Sequence, residues 1–221
     1  MHYYSWPVHV CPLPRRGVND VEIFLGSNKA VDGRTPNSTE LEVFLLDVSR
    51  RIDGMSGHCD RVAALAAELA ISIGLTAEEV VDIRKAGFLH DLGKMAVPAS
   101  ILKNPGLLTA EEWRIMRHHP VVGEKLCAEV PGLGSVLPLI RHHHERFDGS
   151  GYPDNLRGDS IPLGARVLQI ADIFDALTEK RVYKPALSSF EALEIMEMEV
   201  AKGWWDVDLF NEFQPVVLSI A

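Results

Sequence analysis

At Thr76/Glu79, Thr109/Glu112 and Ser188/Glu191 of this 221-residue chain a Ser or Thr is followed three residues later by Glu. In such a capping box the hydroxyl accepts from the third backbone N–H, and the carboxylate accepts from the cap's own N–H, so each pair marks a helix start. Apolar residues then recur at helical spacing. Leu41, Phe44, Leu45 and Val48 follow the caps Ser38 and Thr39, and Val62, Leu65, Leu69 and Ile73 line a helix over 58–73 that Gly74 ends. The Thr76 box leads a third helix toward His90. The Thr109 box opens one through Trp113 and Met116, which Pro120 interrupts or restarts. Residues 164–178 (GARVLQIADIFDALT) carry Val167, Ile170, Ala171, Phe174 and Leu177 on one face. Segment 147–163 is rich in glycine and proline and reads as a loop. Alternating β-type runs are absent, so the fold class is all-α.

Residues 1–37 hold four prolines and no sustained helical period, and read as an N-terminal tail or linker ahead of a domain over 38–221. A formal net charge of −9 argues against long nucleic acid, which calls for a basic face. A small phosphorylated ligand stays open, because close cations and metals outweigh distant charge. No apolar run approaches the roughly 18 residues of a membrane span, and no signal peptide is evident. Cys11, Cys59 and Cys127 are odd in number and outside any CxxC pattern. A cytoplasmic protein with reduced thiols is expected.

Seven of the nine histidines lie between positions 58 and 144, mostly beside Asp, Glu or another His. His58 opens one helix and His90-Asp91 closes another. His118-His119-Pro120 and His142-His143-His144-Glu145 follow, and Asp172 lies within the 164–178 helix. Imidazoles and carboxylates without thiolates suit iron, manganese or zinc. A single histidine is ordinarily a surface or satisfied core residue, which is the reading given to His2 and His9 in the tail. His118 and His142 each precede a stronger ligand candidate.

The ordered set His58-x-x-Arg61, His90-Asp91-Leu92-Gly93-Lys94, His119-Pro120, His143-His144-Glu145, Asp148-Gly149-x-Gly151-Tyr152-Pro153, Asp172 and Asp175-Ala176-Leu177-Thr178 resembles the HD-GYP family. The likeness runs from about residue 40 to about 213. It implies an HD-type helical bundle with the Gly/Pro-rich GYP loop over a metal site. His58, His90, Asp91 and Asp172 would hold one metal and Asp91, His119, His143 and His144 a second, with Asp91 bridging. The implied cofactors are two divalent metal ions, iron or manganese. The implied activity is hydrolysis of the bacterial second messenger cyclic di-GMP to pGpG, and on to GMP, by a hydroxide that bridges the metals. Asp91 and Lys94 would serve the chemistry, while Tyr152, Arg181 and Lys184 would bind substrate. The implied partners are cyclic di-GMP and a diguanylate cyclase or other signalling protein.

Two departures qualify this reading. Family members with three metals carry a glutamate one helical turn before the first histidine; here that position is Gly54, with Asp53 adjacent, so two metals are expected. Lys103-Asn104-Pro105 stands where the family often has lysine directly before Pro-Gly. Two rival functions remain: a general HD-type nucleotide phosphohydrolase, and a non-catalytic cyclic di-GMP receptor or adaptor. The extra histidines and the GYP loop count against the first. A complete set of buried ligands, costly to keep unpaired, counts against the second.

Overall fold

The computed structural model describes residues 38–52, 57–179 and 186–220. The tail over 1–37, Asp53 and Gly54, and the substrate-binding candidates Arg181 and Lys184 lie outside them. The described residues are helical and contain no strand, as the sequence pattern predicts. In chain order they form α1 (Ser38–Ile52), α2 (His58–Ser72), α3 (Ala77–Leu89), a 3-10 turn (Leu92–Ala96), α4 (Ala99–Leu102), α5 (Ala110–Met116), α6 (His119–Ala128), α7 (Leu137–His142), a second 3-10 turn (Gly158–Ser160), α8 (Leu163–Thr178), α9 (Ser189–Val200) and α10 (Val207–Ile220). None of these helices is long and apolar enough to cross a membrane.

All three capping boxes form in full, with both reciprocal hydrogen bonds, at the starts of α3, α5 and α9. Helix α2 closes in a Schellman motif: Leu75 N–H donates to Ala70 O and Gly74 N–H to Ile71 O, each at 3.0 Å. Pro120 restarts the chain rather than interrupting it. Helix α5 stops at Met116, and Pro120 stands in the first turn of α6, where its missing N–H costs nothing.

Helix α2 packs most extensively against α3 and α8, and α6 lies against the first 3-10 turn and α7. The sequence pattern gives 164–178 one apolar face, but α8 is buried on nearly every side. It is the central helix of the main core, which includes Leu45, Leu69, Leu89, Ile140, Leu168 and Phe213. Val97, Ile101, Leu102 and Met116 form a second, smaller core, against which Trp113 packs. This arrangement turns the start of α2, the end of α3, the start of α6, the end of α7 and the middle of α8 toward one another.

Candidate metal centre

Each side chain in the centre is placed by a helix end or by α8. His58 is the first residue of α2, and its Nδ1 donates to Asp175 Oδ2 at 2.8 Å. His90, His119 and His143 share one device: each ring donates from Nδ1 to the carbonyl three residues earlier, on Gly87 (2.8 Å), Met116 (2.9 Å) and Ile140 (2.7 Å). A carbonyl can only accept, so Nδ1 carries the proton, and each Nε2 turns a lone pair inward.

The inward atoms form two groups whose members lie within 4.8 Å of one another: Asp91, His119, His143 and His144, and His58, His90 and Asp172. Asp91 stands between them. Its Oδ1 is 3.4 Å from His119 Nε2, and its Oδ2 is 3.5 Å from His90 Nε2 and 3.9 Å from His58 Nε2. Asp172 Oδ1 is 3.3 Å from His58 Nε2 and 3.8 Å from His90 Nε2. Every metal-ligand position expected from the sequence is therefore drawn into one cluster.

Two observations test whether a cation suits this cluster. Among the described residues the buried atoms His90 Nε2 and Asp91 Oδ1 have no hydrogen-bond partner, a cost of about 1–3 kcal/mol each if left so. His119 Nε2 and His143 Nε2 also approach to 3.4 Å although both are acceptors. Burial pushes His119 down to about 4 and His143 to about 3, so neither ring takes up a proton to relieve that contact at neutral pH. A cation between the lone pairs would resolve both difficulties. The donor set of imidazoles and carboxylates fits a divalent transition metal.

His58 behaves differently. Burial disfavours its charge, but the bonds to Asp172 and Asp175 outweigh this and raise it to about 10. Burial likewise opposes charge on Asp91, yet Lys94, His90, His119 and His58 hold its carboxyl well below the usual range. Helix α3 does not continue past His90 to Lys94. Gly93 approaches α6 so closely that a Cβ there would lie 1.9 Å from His119 O. The chain tightens into the 3-10 turn, and Lys94 Nζ bonds Asp91 Oδ2.

Further side chains hold the ligands in place. Arg61 grips Asp175 through Nε (2.5 Å) and Nη2 (3.0 Å), which orients the partner of His58. Gln169, on α8, donates to both the His143 and Glu145 carbonyls and so fixes the segment that carries His143 and His144. Nothing in the spacing of the sequence marks Gln169 for this. The GYP loop is pinned by Glu145, whose carboxylate accepts from Asp154 N–H (2.6 Å) and Leu156 N–H (3.1 Å). Gly151 lets the loop close, since a Cβ there would lie 2.2 Å from Arg146 N. Tyr152 N–H then donates to His144 O at 3.1 Å, and its ring lies 4.8 Å from that of His144.

Known proteins share sequence and fold with this chain. The HD domain family model matches residues 45–209. The "Cyclic di-GMP phosphodiesterase response regulator RpfG" of Xanthomonas campestris pv. campestris is 43% identical over 150 residues, which are 66% of this chain and 39% of that protein. The "3'3'-cGAMP-specific phosphodiesterase 2" of Vibrio cholerae is 46% identical over 175 residues, 78% of this chain and 32% of that protein. The matched part of the chain thus spans 32–39% of the length of these relatives. Among solved structures, the HDG"Y"P protein Bd1817 from Bdellovibrio bacteriovorus superposes with a TM-score of 0.63 at 17% identity, covering 90% of this chain and 68% of that one, a likeness of fold. With its family model, its relatives and the ordered motifs that meet at this centre, the chain belongs to the HD domain family and, within it, to the HD-GYP group.

Proposed function

We propose that residues 38–221 form the hydrolytic domain of a cytoplasmic phosphodiesterase that cleaves cyclic di-GMP to pGpG, and further to GMP, with two divalent metals. The observation that carries this reading is the position of Asp91 between two ligand groups, with Oδ1 toward His119 and Oδ2 toward His90. His58, His90, Asp91 and Asp172 would hold one metal and Asp91, His119, His143 and His144 the other. Iron or manganese suits these ligands. When bound, the metals supply Lewis acidity and a water of lowered pKa.

The chain's own side chains supply the rest. Lys94, which bonds Asp91, would balance charge on the scissile phosphate. Burial raises the Tyr152 phenol above its ordinary range, so it keeps its proton and can donate to substrate. Arg181 and Lys184, just after α8, are assigned to phosphate by family resemblance. Loss of either should weaken substrate handling by about 1.5–3 kcal/mol.

A related reading, cleavage of 3'3'-cGAMP, is favoured by the relative of that name at 46% identity. Anaerobic assay of Fe(II)- or Mn(II)-loaded protein on both cyclic dinucleotides, with products separated by chromatography, tests the proposal. Faster appearance of pGpG supports it, and preference for the mixed dinucleotide selects the second reading. Binding without turnover would indicate a receptor, and turnover of simple nucleotides alone a general phosphohydrolase. Elemental analysis should find close to two metals per chain; a third tightly bound metal would contradict the expectation drawn from Gly54.

A further inference from the structure

A stepped stack leads outward from the candidate centre. The ring centroids of His143 and His144 are 4.0 Å apart, and Tyr152 follows at 4.8 Å. Next comes the Arg117 guanidinium, 5.3 Å from the centre of the Tyr152 ring and 5.8 Å from that of Trp113. Arg117 caps the end of α5, two residues before His119, so a single turn of chain sets both a ligand and a cation at the rim. Trp113 lies one helical turn before Arg117 and is anchored on the smaller core. Arg117 is exposed, yet two aromatic rings orient it.

Among the described residues its charge is not committed to a carboxylate, a state it shares with Arg146, which lies over Trp204. Arg50, Arg61, Arg114, Arg141 and Arg166 each contact a carboxylate. Arg117 takes part in none of the ion pairs among the described residues. A guanidinium held by ring faces keeps the N–H donors along its edge available, and that edge matches the oxygens of a phosphate. A cyclic dinucleotide has two phosphodiesters. With one at the metals, the other is left to donors outside the ligand cluster, of which a cation is the strongest.

We propose that Arg117 is a substrate-binding residue that receives the phosphodiester lying outside the metal centre, with Tyr152 spanning the interval. This rests on the reading that the centre cleaves a cyclic dinucleotide. It adds a cation from the junction of α5 and α6 to those assigned after α8.

The test is steady-state kinetics on the metal-loaded full chain and its Arg117→Ala and Arg117→Lys variants, with cyclic di-GMP and bis-p-nitrophenyl phosphate as substrates. Arg117→Ala should raise KM for cyclic di-GMP about ten- to a hundredfold, with kcat within about threefold. Its selectivity for the dinucleotide over the small ester should fall to match. Arg117→Lys should recover part of the loss by restoring the charge. An unchanged KM in Arg117→Ala overturns the proposal, as do equal losses on both substrates with a lowered melting temperature, which would mark a packing role. Wild-type protein that cleaves the small ester but not cyclic di-GMP overturns the parent reading as well, and is distinguished by needing no variant.

Discussion

Asp91 offers one carboxylate oxygen to each half of the cluster, whereas Asp172 faces only the half that contains His58 and His90. Their removal should therefore differ. Asp91→Ala should abolish turnover and strip both metals, while Asp172→Ala should mainly empty one site. Elemental analysis beside circular dichroism checks this, and an Asp91→Ala protein with full metal content would refute the shared role.

The histidines differ by charge as well. His58 is held protonated up to about pH 10, above an unfolded value of about 6.5. This raised value stabilises the metal-free fold fully below about pH 6.5, and the contribution is lost as pH rises through about 10. A metal at His58 Nε2 must displace that proton, so its binding should tighten about tenfold per pH unit between pH 7 and 9. His119 and His143, pushed down to about 4 and 3, carry no proton to displace in that range. Manganese titrations should show one class of site that depends on pH and one that does not. A single common slope would contradict the assignment.

At the scale of elements, α8 both supplies Asp172 and supports the opposite half through Gln169. Gln169→Leu keeps the volume and removes both donors, leaving two buried carbonyls short at about 1–3 kcal/mol each. Metal affinity at the His119, His143 and His144 half should fall about ten- to a hundredfold, with less effect at the other. Competition titration with a chelator resolves the two halves, and equal weakening of both would show a general loss of packing.

The helices that begin with a capping box were legible in the sequence because the box is local, as was the order of the ligands along the chain. The support was not. Gln169 reads as a polar interruption in an apolar run, and Arg117 as one cation of an exposed helix end; only the approach of α7 to α8, or of the GYP loop to α5, gives them partners. Helix α10 carries Pro215 within it, and proline ordinarily ends a helical pattern. Helix α7 has six residues, too few to show a period.

For the whole molecule, the ligands come from five stretches of chain, from His58 to Asp172. Metals that bind only the folded chain should add stability by mass action, about 2.7 kcal/mol at a free concentration a hundred times Kd. Chelation should then lower the melting temperature by about 5–10 °C, and returning manganese should restore it. An unchanged melting temperature with full metal removal would mean that the cluster is equally stable without metal.

The pinning of His90, His119 and His143 to carbonyls of their own turns bears also on how quickly a metal can leave. None of these three imidazoles can swing away without breaking a hydrogen bond at a helix end, and none of these helix ends can fray without dragging a ligand. Escape is thereby tied to transient opening of the bundle rather than to exchange at a rim. Release should be slow beside small-molecule chelates, and it should track amide hydrogen exchange at Gly87 through His90. The centre would keep its ions through brief dilution, when binding equilibrium alone would let them go.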